Sequence, residues 1–234
     1  MRLDKFLCDR NIGTRRQVKT YIRQGLVTVN GEPVLSPDRK IDESGDLVTY
    51  QGQALRSAGF VYYMLNKPQG VVSATQDNRD ATVVDLLEGC DLPRDGVFPV
   101  GRLDKDTEGL LILTDDGNLA HRLLSPKRHV DKTYLVTVQH PLSRKDIERL
   151  EQGVDIGEDK MTLPAKVERK TDTQFFLTIH EGKFHQIKRM LQTVDNQVTA
   201  LKRIAFGGLT LDEGLKPGEY RELTGQEVEM LHEA

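Results

Sequence analysis

Apolar residues at the start of the chain fall at helical intervals: Leu3, Phe6 and Leu7 share one face, and Asn11 with Gly13 ends the pattern. Thr14-Arg15-Arg16-Gln17 then has the form of a capping box. The threonine hydroxyl accepts from the backbone N–H three residues on, and the glutamine reaches back. The helix that it opens carries Val18, Tyr21 and Ile22 on its apolar stripe and stops at Gly25. The period then changes to two. Val27-Thr28-Val29-Asn30-Gly31-Glu32-Pro33-Val34 alternates around Asn-Gly, the strongest short signal for a tight hairpin. Residues 51–60 (QGQALRSAGF) are small and polar and predict a linker.

Beyond the linker, Phe60–Leu65 has the composition of a buried strand, stopped by Asn66-Lys67-Pro68-Gln69-Gly70. Strand-like runs recur at 97–100, 109–114, 133–138, 174–180 and 198–206. Helical patterns lie at 82–88, 117–124, 143–151, 185–194 and 225–232, the last opened by a Thr224–Glu227 capping box. Strands outnumber helices and regular crossovers are missing. The expected fold class is therefore α+β: a small head of two helices and a hairpin over residues 1–57, and a body with a mainly antiparallel sheet over 60–234.

Composition adds bounds. Hydrophobic residues make up 37% and charged residues 29%, enough apolar material for a real core. The longest apolar runs, such as VYYML at 61–65, are far shorter than the ~20 residues of a membrane span. The opening MRLDKFLCDR lacks the apolar core of a signal peptide, and the two cysteines, Cys8 and Cys90, are too few for a disulfide framework. Cytoplasm is the expected compartment, with Cys90 a buried or loop thiol.

Charge is distributed unevenly. The net value is −3, yet residues 1–30 hold seven basic residues against two acids, a surplus of five, which leaves −8 on the other 204 residues. At 100° per residue, Arg15, Arg16, Lys19 and Arg23 flank the apolar stripe of the second helix. A basic head on an acidic body is the footprint of an electrostatic module for phosphate.

The opening RLDKFL, the TRRQV helix start and the GLVTVNGEPV hairpin resemble the S4 RNA-binding domain. That resemblance implies that the head holds structured RNA, with Arg2, Lys5, Arg15, Arg16, Lys19 and Arg23 as its contacts.

Candidate chemistry gathers in residues 101–117, GRLDKDTEGLLILTDDG. A strand ending at Val100 and another starting near Gly109 place Asp104 on a tight connection at the sheet edge. Arg102 nearby can fix that loop or meet RNA phosphate. No P-loop, GxGxxG or HExxH occurs. The aspartates at 104, 106, 115 and 116 lack EF-hand spacing, and His121, His129 and His140 have no zinc-like spacing, so no metal is expected. By pattern alone this stretch is a turn rich in solvated Asp and Gly, and Tyr134 is an ordinary strand tyrosine.

The segment resembles the catalytic motif of pseudouridine synthases, R-L-D-x-x-T-x-G, and two further motifs follow in that family's order. Lys132-Thr133-Tyr134 matches K-x-Y, and Glu181-Gly182-Lys183-Phe184-His185-Gln186-Ile187-Lys188-Arg189-Met190 matches the last. YYMLNKPQGVVS, SPKRHVDKTYLVTV and FHQIKRM are most similar to the RsuA type, which modifies small-subunit ribosomal RNA. The resemblance implies a cofactor-free isomerisation of one uridine, usually uridine 516, to pseudouridine. Asp104 would be the essential carboxylate, either nucleophile at C1′ or base at C2′. Lys188 would be the cation beside it, Tyr134 the ring on which the extruded uracil stacks, and Arg102, His185 and Arg189 would meet RNA. The expected partner is ribosomal RNA, with no membrane, no small-molecule cofactor and a monomeric chain. A binding factor without enzymatic activity is the competing class. It has no use for a carboxylate in that motif, where it repels phosphate.

Overall fold

The computed structural model describes all residues except 11, 43–44, 56–59, 88–95 and 126–127. The chain divides into two compact units, Met1–Phe60 and Val61–Ala234. Asn11 and Cys90 lie outside the described residues.

The first unit opens with α1 (Leu3–Asp9) and α2 (Arg15–Arg23). The capping box at Thr14 is formed: its hydroxyl accepts from the Gln17 N–H, and the Thr14 N–H donates to Gln17 Oε1 at 2.9 Å. Next come β1 (Val27–Val29) and β2 (Glu32–Pro33), then β3 (Val48–Tyr50) and β4 (Gln53–Leu55), in the sheet order β2-β1-β3-β4. Asn30 and Gly31 have φ of 54° and 85°, the pair of positive values a two-residue hairpin turn demands. Leu3, Phe6, Leu7, Val18, Ile22, Val27, Val29 and Val48 close over one another as a small core. Tyr21 is only half-buried and packs its ring 5.3 Å from that of Tyr50.

The expected linker begins later than residue 51. Gln51 and Gly52 (φ 51° and 82°) form a second tight turn, and β4 pairs antiparallel with β3 through Tyr50↔Gln53. Glutamine rarely adopts positive φ, so Gln-Gly hides a hairpin that Asn-Gly would advertise.

The second unit contains β5 (Tyr62–Lys67), β6 (Phe98–Pro99), β7 (Glu108–Thr114), α3 (Gly117–Leu124), β8 (Lys132–Val138) and α4 (Arg144–Gln152). There follow β9 (Lys166–Arg169), β10 (Gln174–Ile179), α5 (Gln186–Gln192), β11 (Val198–Phe206), β12 (Leu209–Thr210), β13 (Tyr220–Glu222) and α6 (Gly225–Glu233). The sheet runs β13-β5-β7-β11-β8-β10-β9, with β6 on β7 and β12 on β11. Every pairing is antiparallel except β7 with β11. The unit is thus α+β with a mainly antiparallel sheet, as expected. The helical pattern at 82–88 yields only a 3-10 turn at Asp85–Leu87, held by Thr82 and Asp85 exchanging side-chain-to-backbone hydrogen bonds.

The central strands are covered on both faces. Tyr63, Leu65, Leu111 and Leu113 point into a cluster with Leu150 of α4 and Met190 of α5. Met64, Leu110 and Ile112, one residue out of phase, join Leu119 and Leu123 of α3 and Leu231 of α6. Period-two alternation therefore sends successive apolar residues to opposite layers, each fully buried side chain contributing ~1.5–3 kcal/mol.

The parallel contact between β7 and β11 depends on one glycine. Gly109 pairs with Arg203 at a φ of 104°, and a Cβ there would overlap the Arg203 carbonyl and lie 2.8 Å from its nitrogen. Arg203 is itself buried, its Nε donating to the Leu110 carbonyl at 2.7 Å. Gly109→Ala should therefore cost at least about 2 kcal/mol, from positive φ and backbone collision together. Thermal unfolding checks this; a melting temperature equal to that of the unaltered protein would show that the two strands can separate without penalty.

Candidate active site

The connection from β6 to β7 carries Asp104, and the protein pins this loop from beneath. Leu103 is buried, and both its backbone groups are held by Ser73: the Leu103 N–H donates to Ser73 Oγ at 3.0 Å, and the Ser73 hydroxyl donates to the Leu103 carbonyl at 2.9 Å. The Gly70 N–H donates to the Lys105 carbonyl at 2.8 Å, and the Thr107 N–H to the Asp104 carbonyl at 3.0 Å. At the end of β5, the fully buried Lys67 donates to the carbonyls of Pro68 (3.0 Å), Asp104 (3.1 Å) and Thr107 (2.9 Å). Three carbonyls satisfy the three donors of one ammonium. Burial pushes its pKa down to about 8, so it is still mostly charged at neutral pH.

With its backbone fixed, Asp104 presents a carboxylate that is 29% exposed. Lys188, on α5, brings its ammonium to 3.1 Å from Asp104 Oδ2 and 2.6 Å from Asp106 Oδ1. Burial alone would lower the Lys188 pKa, but hydrogen bonds to the two carboxylates outweigh it and hold it above the ordinary lysine value. The hydrogen bond from Lys188 in turn holds the Asp106 carboxyl below the usual range. His185 Nε2 stands 3.6 Å from Asp104 Oδ1. A carboxylate on a fixed loop with an ammonium 3.1 Å away is placed to attack a carbon or remove a proton.

A family model described as RNA pseudouridylate synthase matches residues 61–193, and one described as S4 domain matches residues 1–48. The chain belongs to the RNA pseudouridylate synthase family. It is 50% identical to the RNA pseudouridine synthase YtzG of Bacillus subtilis, over all of this chain and 99% of that one. It is 44% identical to the ribosomal small subunit pseudouridine synthase A of Escherichia coli, over 97% of this chain and 98% of the other. A crystal structure of a pseudouridylate synthase superposes with a TM-score of 0.70 at 40% identity, covering 99% of both chains. This synthase is therefore an isomerase that acts on RNA.

The remaining site candidates separate by what their side chains already hold. Tyr134 of β8 is 7% exposed and sits in the same apolar cluster as Leu103 and Ile187, chain neighbours of Asp104 and Lys188. No hydrogen bond from its hydroxyl joins it to the Asp104–Lys188 pair among the described residues. Arg102 is exposed and forms no ion pair among the described residues. Arg189, expected to meet RNA, has partners within the synthase. Its guanidinium pairs with Glu158 at 2.7 Å and donates to the carbonyls of Phe184 and Ile156, tying the 156–158 loop to α5. The expected helix at 185–194 is shorter than its pattern, because His185 takes the left-handed conformation just before Gln186.

In the first unit, Lys5, Arg15, Arg16, Lys19 and Arg23 have no acid within ion-pair distance among the described residues, so their charge is available to phosphate. Arg2 differs. It makes a bidentate pair with Asp4, both contacts 2.9 Å, which raises the pKa of its guanidinium and lowers that of the acid. Two of the other aspartates serve the backbone: Asp116 caps α3 through the Leu119 N–H and accepts from the Tyr62 hydroxyl, and Asp115 accepts from the Val61 N–H.

Lys67 and Ser73 are the functional residues that the sequence pattern did not single out. The available signal was a lysine closing an otherwise apolar, buried strand, since such a charge must find carbonyls or acids inside the fold. Lys67→Met should leave three buried carbonyls without their donor. The expected result is a loss of about 3 kcal/mol or more in stability, from a broken buried charge network, and a lower single-turnover rate at saturating RNA. Denaturant unfolding and rapid-quench kinetics read the two effects; a variant equal to the parent in both would remove Lys67 from the support of the Asp104 loop.

Proposed function

We propose that this synthase converts one uridine of small-subunit ribosomal RNA to pseudouridine, with uridine 516 as the candidate target and Asp104 as the essential carboxylate. Relatives that carry the name ribosomal small subunit pseudouridine synthase A are 42–44% identical to it over 97–99% of its length, which supports the choice of RNA. The observation that carries the role of Asp104 is the Lys188 ammonium 3.1 Å from its carboxylate.

In this reading the bond from C1′ to N1 breaks, the uracil turns, and C5 bonds to C1′. C5 gives up its proton and N1 gains one, so no atom enters or leaves and no redox partner or cofactor is called for. Asp104 acts on the sugar, at C1′ or at C2′, and the Lys188 ammonium 3.1 Å away orients the carboxylate for either action. Tyr134, packed tightly on β8, offers a preorganised ring to the extruded uracil. The S4 unit supplies affinity through Lys5, Arg15, Arg16, Lys19 and Arg23, with Arg102 adding to it from the second unit. The synthase works as a monomer in the cytoplasm.

Asp104→Asn should fold and bind RNA as the parent does while the single-turnover rate falls at least a hundredfold, ~2.7 kcal/mol of lost transition-state stabilisation. The amide is nearly isosteric but neither attacks carbon nor takes a proton. A rate within tenfold of the parent would end the assignment.

Lys188→Met leaves the Asp104 carboxylate without the ammonium that holds it at 3.1 Å. At saturating RNA the single-turnover rate should drop at least tenfold, ~1.4 kcal/mol of lost transition-state stabilisation. A lysine that merely touched phosphate would behave otherwise, weakening affinity and lowering the salt slope by ~1 with the saturated rate intact.

A further inference from the structure

Phe184 is the most exposed large apolar side chain among the described residues, at 74%. It is not loose. Its ring stacks on the imidazole of His185 with centroids 3.8 Å apart and planes 18° from parallel. His185 in turn faces Asp104 across 3.6 Å. His185 thus touches Asp104 through Nε2 and carries Phe184 stacked on its ring, and the Phe184 ring stays exposed.

The backbone holds this arrangement against its own preference. His185 has φ 48° and ψ 34°, a left-handed conformation that is uncommon for a residue with a Cβ and that persists only where surrounding contacts impose it. Those contacts are present. The Lys183 N–H donates to Gln186 Oε1 at 2.9 Å, the buried Gln186 amide donates to Glu181 at 2.9 Å, and Arg189 donates to the Phe184 carbonyl at 3.1 Å. The segment is thus braced on three sides in a shape that turns Phe184 outward.

We propose that the outer face of Phe184 is a stacking platform for an unpaired base next to the modified uridine, which makes Phe184 a specificity-determining contact. His185 takes the place beside the Asp104 carboxylate and Phe184 lies beyond it, so the base that meets Phe184 is a neighbour of the target and not the target itself. Extruding a uridine leaves its neighbours partly unstacked, and an exposed aromatic ring beside the site replaces the lost partner. Stacking of this kind reads the presence of an unpaired base, which selects loops and bulges over continuous duplex. The inference rests on RNA being the substrate and is tested by binding, so it stands or falls separately from the role of Asp104.

The protein contains no tryptophan, so Phe184→Trp introduces a single emitter at the platform. Titration with the small-subunit RNA fragment that the unaltered chain modifies should quench that emission. Phe184→Tyr should bind the fragment within about twofold of the parent. Phe184→Ala and Phe184→Leu should each weaken binding roughly 5- to 150-fold, the range for loss of one stacked base, while the saturated single-turnover rate stays within about threefold. The proposal is overturned by affinity of the alanine variant within twofold of the parent, or by tryptophan emission that RNA leaves unchanged. A fall in saturated rate at unchanged affinity also overturns it, because Phe184 would then act as a prop for His185.

Discussion

The carbonyls of Pro68, Asp104 and Thr107 converge on the Lys67 ammonium, and the geometry of the site depends on that convergence. A loop joining two strands normally turns its carbonyls to water. Here two of them, with the Pro68 carbonyl that follows β5, face inward, and an ammonium at the end of a buried strand offsets the loss of solvent. Without it the loop would carry orphaned acceptors, and the Asp104 side chain would follow whatever new path the backbone took. Ser73, with both a donated and an accepted bond to Leu103, fixes the same loop one residue earlier. The carboxylate is therefore positioned by main-chain contacts, leaving its two oxygens free to meet Lys188 and His185.

Opposite that loop stands α5, and the two meet because β7 and β11 run side by side. Gly109 makes the approach possible, as any Cβ would collide with the backbone at Arg203. The motif residues then divide by level. Asp104 is held by the loop, Lys188 by a helix packed through Met190 and Leu191, and Tyr134 by a central strand. Rigid elements on three sides thus keep the three motif groups in fixed positions.

Cations in this protein follow two designs. Lys5, Arg15, Arg16, Lys19 and Arg23 of the first unit stand free of acids among the described residues, and charge so placed attracts phosphate at long range until salt screens it. Three cations of the second unit are committed instead: Lys67 to carbonyls, Lys188 to carboxylates, Arg189 to Glu158 and two carbonyls.

Local structure was written plainly in the sequence. The capping boxes at Thr14 and Thr224, the Asn30-Gly31 turn and the alternation of β5 and β7 each depend on residues a few positions apart, where sterics and one or two hydrogen bonds decide. The three motifs were equally visible, because each is a short run of fixed residue types. Pairing across long distances was not. The resemblance alone set Lys188 beside Asp104; that Arg189 pairs with Glu158 and that Lys67 lies under the Asp104 loop are consequences of how the elements assemble, among them the parallel contact of β7 with β11. Sequence spacing carries no information about which charges will be neighbours once the sheet is assembled, since the partners of a buried polar group are chosen by the whole fold that desolvates it.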